Sequence, residues 1–324
     1  MFRLKDISVV IPTYNRVDDL KETLNSIIPF AKKLNIIIVV DQIKDSPSKD
    51  LIENMKIKNL RRVYSSPPAI TIARNVGISK VKSKLICFLD DDITLDTDYF
   101  NKILDVFNNH PEAKGVSAYY NNGIVLSGLI KIENLFKRLF FLTYFDTKER
   151  ARVLSVYGNT YPYNPKNILI SQWLTGFNMV YKKEVFKEQL FDTNMLSYSL
   201  AEDFDFSYRL YKKYNNGLFI TPFAKIIHRV SKVERYSTQK ISYMNQINHF
   251  YLNFKNFNNN FKEKIIFVWS IFGISILRIF KFIFTLRKIE YLKLKFYFKS
   301  LFYCFFNLKK IKQGKLMDFE KEIN

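Results

Sequence analysis

The sequence predicts an α/β protein built on a mostly parallel central sheet flanked by helices, with a basic, aromatic helical appendage behind it. Three observations predict this. Short β-branched runs alternate with segments of helical periodicity through roughly the first hundred residues, the pattern of strands joined by crossover helices. Turn-forming or acidic residues end the runs, at 12–15, at Asp41 and at 90–92. The composition then shifts. Residues 1–235 hold 35 Lys+Arg against 25 Asp+Glu, net +10, whereas residues 236–324 hold 16 against 5, net +11.

Each element follows from its residues. Residues 7–11 are a buried strand that ends at Pro12. Residues 18–29 read as a helix, with Leu20, Leu24, Ile27 and Ile28 on one face and Asp19 and Glu22 at capping-box spacing. Residues 36–40 form a second strand ending at Asp41, and residues 62–64 a third. A helix over 69–80 precedes a strand over 84–89 that ends at Asp90. In such sheets ligands bind beyond the carboxyl ends of the strands, so these three ends are expected to face one cleft. Residues 115–170 mix short pieces and give no detailed assignment. Residues 202–214 read as a helix, 218–220 and 224–227 as short strands before His228, and 256–260 as a linker.

The chain has 324 residues, 48% hydrophobic, with 31 Phe and 20 Tyr. That supports one large domain, expected over 1–235, and a smaller tail over 236–324. Two cysteines, Cys87 and Cys304, exclude a disulfide framework and a zinc ligand set and suit a reducing compartment. The opening apolar run is short and Asp6 interrupts the approach to it, which is no secretory signal; the expectation is a cytoplasmic catalytic part.

The strongest chemical signal is Asp90-Asp91-Asp92 directly after a buried strand. Carboxylates so close repel one another, and a hard cation such as Mg²⁺ or Mn²⁺ relieves the repulsion. It would also neutralise a diphosphate. An acidic loop capping the next helix is the plainer alternative. Glu202-Asp203 opens a helix, where the dipole alone favours negative charge; a general base is the functional alternative. Asp41 either starts a turn or accepts hydrogen bonds from a base or ribose. Arg74 either pairs with a carboxylate or faces a nucleotide. His228 is either structural or a metal ligand. Trp173 is either core or a platform for a sugar ring.

Together these segments resemble the family 2 glycosyltransferases, which have the Rossmann-like GT-A fold. The resemblance runs in order over roughly residues 7–230: Val9-Val10-Ile11-Pro12-Thr13-Tyr14-Asn15-Arg16, Val39-Val40-Asp41, Ala73-Arg74-Asn75-Val76-Gly77, Phe88-Leu89-Asp90-Asp91-Asp92, Thr175-Gly176-Phe177-Asn178-Met179, Glu202-Asp203 and His228. It implies an inverting, metal-dependent transfer from a nucleotide-sugar donor to a hydroxyl of a saccharide or lipid-linked saccharide in surface glycan synthesis. It also implies Asp203 as base and Asp92 and His228 as metal ligands. Donor contacts would come from Pro12, Thr13, Tyr14, Asn15, Arg16, Asp41, Arg74, Asp90 and Asp91. Trp173, Gly176 and Glu202 would lie on the acceptor side. The second strand continues as Gln42-Ile43-Lys44, where many members carry a second Asp and a Gly-Ser. No Arg-Trp pair of the processive synthases occurs, which implies transfer of single sugars.

The tail carries 13 uncharged residues between Lys264 and Arg278, short of the about 20 a bilayer span needs. Extension to Leu286 takes in Arg278 and Lys281. Aromatics mixed with lysines predict attachment to the interface of an anionic membrane, at its cytoplasmic face. A span, or an appendage packing on the catalytic domain or a second chain, are the alternatives. So many Phe and Ile residues do not suit nucleic-acid binding. Two rival functions remain. Asp90-Asp91-Asp92-Ile93-Thr94 also fits the DxDxT motif of a phosphatase, with Asp90 as nucleophile and Asp92 as acid/base. A non-catalytic, membrane-attached binding protein on the same fold is the other.

Overall fold

The structure is a computed structural model that describes residues 1–120, 128–142, 144–146, 151–195, 200–231, 236–257, 260–317 and 319–323. Along the chain run β1 (Ile7–Thr13), α1 (Val17–Ala31), β2 (Ile36–Asp41), α2 (Ser48–Asn54), β3 (Leu60–Tyr64), α3 (Ile70–Lys80), β4 (Leu85–Leu89), β5 (Ile93–Leu95), α4 (Tyr99–Asn109) and β6 (Gly115–Ala118). There follow α5 (Gly128–Leu139), β7 (Tyr144–Asp146), β8 (Thr160–Pro162), β9 (Leu169–Ile170), β10 (Asn178–Lys182), α6 (Glu202–Lys213), β11 (Leu218–Thr221) and β12 (Ile226–His228). Helices close the chain: α7 (Thr238–Asn256), α8 (Phe261–Thr285), α9 (Lys288–Phe306), α10 (Leu308–Lys312) and α11 (Glu320–Ile323).

Two compact units result. One comprises Met1–Asn122, Asn164–Tyr198 and Glu202–Arg235; the other comprises Gly123–Tyr163, Ser199–Ala201 and Tyr236–Asn324. The second unit thus takes in a segment from within residues 1–235 as well as the tail.

The first unit is a mixed sheet in the order β3-β2-β1-β4-β10-β6-β11-β9. Strands β3, β2, β1 and β4 are parallel, β10 runs against β4 and β6, β11 is parallel to β6, and β9 closes the edge antiparallel. This is the expected mostly parallel sheet flanked by helices. Its central strands read as unbroken apolar runs because both faces are covered. Ile7, Val9 and Ile11 of β1 pack with Leu20, Leu24 and Ile27 of α1 and with Phe100 and Ile103 of α4. Val10, on the other face, meets α3 at Gly77, where a Cβ would stand 2.3 Å from Val10 Cγ1. Glycine is what lets α3 approach β1 so closely.

Two local readings are corrected. Strand β1 does not end at Pro12 but runs to Thr13, with Pro12 opposite Val40. The Thr13 carbonyl accepts from Gln42 N on the β2 side, so Pro12 turns its backbone the other way. Pairing with β4 has ended there at Val10–Phe88, and the missing N–H breaks no ladder bond. Helix α1 begins at Val17 with Arg16 as its N-cap, without a side-chain cap. Glu22, expected in a capping box, pairs instead with Arg229 Nε at 3.0 Å.

In the second unit α7 packs on α9 and α10, and α8 on α9. Tyr157 stacks on His249 with centroids 4.5 Å apart. Trp269 Nε1 donates to the Leu139 carbonyl at 2.7 Å and Ser270 Oγ to that of Phe140 at 3.0 Å. By length and composition α8 is apolar enough to cross a membrane, with a mean hydropathy of 1.9 over its most apolar window.

Candidate active site

The three carboxylates after β4 diverge. Asp91 turns inward: Oδ2 accepts from Thr13 Oγ1 at 2.7 Å, and Oδ1 lies 3.3 Å from Arg16 Nη1. Burial pushes its carboxyl up to about 7 against the pull of Arg16 and Thr13. Asp91 thereby ties the loop after β1 to the end of β4. Asp90 and Asp92 face the other way, with His228. One ligand atom from each of the three lies within 4.8 Å of the others. Sheet register explains the meeting, because β12 runs against β5 and sets His228 opposite Ile93, next to Asp92. The imidazole is held flat on Phe177, centroids 4.7 Å apart, with Tyr120 edge-on.

This cluster fits a divalent cation. Two carboxylates and an imidazole are ordinary donors for Mn²⁺ or Mg²⁺. Asp92 Oδ2 is satisfied by Ser231 N at 2.8 Å. Oδ1 is buried and sits 3.1 Å from His228 Nε2, within ion-pair distance. Burial alone would raise the Asp92 carboxyl, but His228 and the Ser231 N–H outweigh it and hold it below its ordinary value. Burial raises Asp90, with Arg74 pulling back and Asp92 adding to the rise.

Arg74 of α3 joins this cluster to α6. It is 1% exposed. Nη1 meets Glu202 Oε1 at 2.7 Å; Nη2 donates to the Gly176 carbonyl at 3.0 Å and lies 3.4 Å from Asp90 Oδ1. Its guanidinium rests over the Phe191 ring. Beside it, Asp203 accepts from Gly176 N at 2.7 Å and Phe204 N at 2.8 Å. Burial lifts the Asp203 carboxyl above its ordinary value, and those N–H groups and Arg74 oppose the lift. Glu202 is pushed up to about 8 by burial and by Asp203, against Arg74. A Cβ on Gly176 would lie 3.1 Å from Asp203 Cβ and Oδ2. A larger residue there would crowd the carboxylate that the Gly176 N–H holds.

The other expected residues lie outside this group of contacts. Asp41 is fully buried, with Oδ1 accepting from Ile43 N at 3.0 Å and Oδ2 from Arg62 Nε at 2.9 Å and Ser46 Oγ. Its bonds brace the loop after β2 and do not reach the Asp90–Asp92–His228 cluster. Pro12 is buried in β1, Tyr14 is exposed, and Asn15 takes a left-handed φ of 54°. Trp173 is half-buried, and its backbone N–H and carbonyl both bond Ser171 Oγ.

Sequence reading missed Arg62, Ser231 and Arg229. The two charges in the run Leu60-Arg61-Arg62-Val63-Tyr64 were the available signal for Arg62. Arg229 offered none: it reaches the Ile93 carbonyl at 2.6 Å, the Asp19 carbonyl at 2.9 Å and Thr23 Oγ1 at 3.1 Å, across 136 to 210 residues. The phosphatase motif loses its setting, since Asp90 follows the fourth strand of the chain and not the first.

Residues 8–190 match the model of Glycosyl transferase family 2. The chain belongs to that family. An uncharacterized glycosyltransferase of Rickettsia felis is 35% identical over 98 residues, 30% of this chain and 16% of that protein. The chain therefore matches only a small part of this relative's length. TarS of S. aureus, solved in complex with UDP-GlcNAc, shares the fold with a TM-score of 0.52 at 16% identity, covering 91% of this chain and 79% of that one. The glucosyl-3-phosphoglycerate synthase of Mycobacterium tuberculosis, solved with Mn²⁺, UDP-Glc and phosphoglyceric acid, aligns with a TM-score of 0.50 at 13% identity, covering 75% and 77%. The GT-A fold expected from the sequence is thus the fold of the first unit.

Proposed function

We propose that the chain transfers a single sugar from a nucleotide-sugar donor to an acceptor hydroxyl, with inversion at the anomeric carbon. The acceptor is a saccharide or lipid-linked saccharide of surface glycan synthesis at the cytoplasmic face of a membrane. The observation that carries the reading is one network: the Asp90–Asp92–His228 cluster, Arg74, Gly176 and Asp203. It puts cation-type donors and a carboxylate of raised proton affinity within one shell of side chains.

In this reading Asp203 takes the proton of the acceptor hydroxyl as its oxygen bonds to the anomeric carbon and the bond to the nucleoside diphosphate breaks. A base is most effective when its pKa approaches the working pH, as the burial of Asp203 favours. Gly176 N and Phe204 N fix the direction of that carboxylate, so less orientation is lost on reaction. Asp90, Asp92 and His228 would hold Mg²⁺ or Mn²⁺, which supplies charge neutralisation for the departing diphosphate. The uridine nucleotide sugars in the two structures of like fold, and the Mn²⁺ in the synthase, support this assignment.

Thermal stability measured against UDP-, GDP-, dTDP- and CMP-linked sugars, with and without Mn²⁺, tests the proposal. A rise confined to one nucleotide and dependent on Mn²⁺ is expected. Donor binding that ignores the metal would remove the cation from the reading.

A further inference from the structure

Helix α8 is apolar on both sides. Its protein-facing side buries Ile271 and sets Phe267 against Phe250 and Tyr157, with small residues where the approach is close. Ser270 is buried on the Phe140 carbonyl, and Gly273 packs so closely on Phe140 that a Cβ would come within 2.3 Å of it. Ser275 bonds the Ile271 carbonyl and meets the Tyr297 hydroxyl, and Arg278 lies over the Tyr297 ring. Its outward side is apolar from end to end: Phe261, Ile265, Val268, Phe272, Ile279 and Ile283 are all exposed. These recur at intervals of three, four and seven residues, one stripe along a helix of 25 residues. A surface helix in water keeps its outward side polar. Only 22% of the most apolar stretch of α8 is buried. A contiguous exposed apolar face of this size marks an interaction surface.

We propose that the outward face of α8 docks on an anionic lipid bilayer, lying in its plane with the apolar stripe at the headgroup–acyl boundary. Charge selects this occupant. Residues 260–317 hold 13 Lys+Arg and two acidic residues, Glu263 and Glu290. Glu290 is already paired with Lys293 and Lys281. A second copy of the chain would bring a like-charged surface against this one. Nucleic acid would leave the apolar stripe uncovered. An anionic membrane meets both features, cationic margin and apolar face.

The in-plane orientation follows from α9. Ile271 and Ser275 meet Tyr297, and Phe282 meets Tyr291, so α9 returns antiparallel along α8. Exposed Lys295 and Lys299 stand in the middle of α9. A hairpin driven through the bilayer would carry them into the hydrocarbon. A hairpin lying flat leaves them at the headgroups. This inference stands apart from the transfer chemistry, because vesicle binding is measured without donor.

The experiment is vesicle flotation of the full chain, using phosphatidylcholine alone or with about one third phosphatidylglycerol. Flotation is expected on the anionic vesicles and only weakly on the neutral ones. Lys264→Gln, Lys281→Gln and Lys288→Gln together should weaken anionic binding on the order of 100-fold. Ile265→Glu, Phe272→Glu and Ile283→Glu together should abolish it, with the thermal midpoint unchanged because all three side chains are exposed. Labels at Phe261→Cys, Phe272→Cys and Ile283→Cys should report one shallow depth, the native Cys87 and Cys304 being buried. Undiminished flotation by the folded triple-Glu variant would overturn the proposal. Equal binding to neutral vesicles would overturn its anionic part, and label depths spread across the bilayer its in-plane part. A lipid-independent dimer that only the triple-Glu variant disperses would assign the face to a second copy instead.

Discussion

Asp203, Glu202 and Asp90 share one buried guanidinium, that of Arg74, and the environment of each decides what it can do. Asp203 receives two backbone N–H bonds, and the Arg74 charge adds to their pull against the effect of burial. Asp203→Asn keeps the size and loses the base. It should lower transfer at least 10²- to 10⁴-fold, the usual worth of a positioned base, while calorimetric donor affinity stays at the wild-type value. Wild-type turnover in that variant would end the assignment. Glu202 behaves differently. With its carboxyl pushed up to about 8, the folded chain keeps a proton that the unfolded chain releases above about 4.3. The resulting stability is complete below that pH and is lost as pH rises through 8. The thermal midpoint of the wild type should therefore fall between pH 5 and 8.5 more steeply than that of Glu202→Gln. Parallel slopes would mean that Glu202 is ionised throughout, held so by Arg74.

Helix α3 sets these side chains by what it packs against. Thr71 Oγ1 donates to the Met195 carbonyl at 2.8 Å. Asn75 exchanges two hydrogen bonds with the backbone of Phe191, which underlies Arg74. Gly77 presses on Val10 of β1. A run that reads in sequence as an unremarkable helix is thus pinned on both sides of its one arginine. Gly77→Ala should force α3 away from β1, costing about 1–3 kcal/mol as overpacking does. A lowered urea midpoint with an unchanged slope is the expected result, and an unchanged midpoint would show that Val10 yields freely. The strand elements were legible because burial on both faces leaves unbroken apolar runs. Helix α2 and the strands between β6 and β10 were not, because a seven-residue helix and strands of two or three residues carry too little periodicity.

For the molecule as a whole, a ligand that binds only the folded state raises stability with the logarithm of its concentration over its dissociation constant. At 100 times its dissociation constant the gain is about 2.7 kcal/mol, a rise of a few degrees. Asp92→Ala removes the oxygen that faces His228 and the acceptor for Ser231 N. That variant should show no Mn²⁺-dependent rise with the donor that stabilises the wild type. A retained rise would place the cation elsewhere. The basic surplus of the tail also belongs to this scale, since it acts through a whole surface and not through any one pair.

The sequence by itself determined the family, the parallel strand run and the positions of the carboxylates, because each is written in consecutive residues. It also determined that residues 236–324 differ in charge and aromatic content. Tertiary structure alone decided which carboxylates share a site. Asp90, Asp91 and Asp92 are neighbours in the chain, yet Asp91 is spent on Thr13 and Arg16 while the others meet His228, which arrives through β12 pairing with β5. Only the fold showed that Arg62 occupies Asp41, that Arg74 reaches Glu202, and that α8 leaves an apolar stripe exposed. Contacts between residues far apart in sequence leave no local pattern, because pairing across the chain depends on strand order and register.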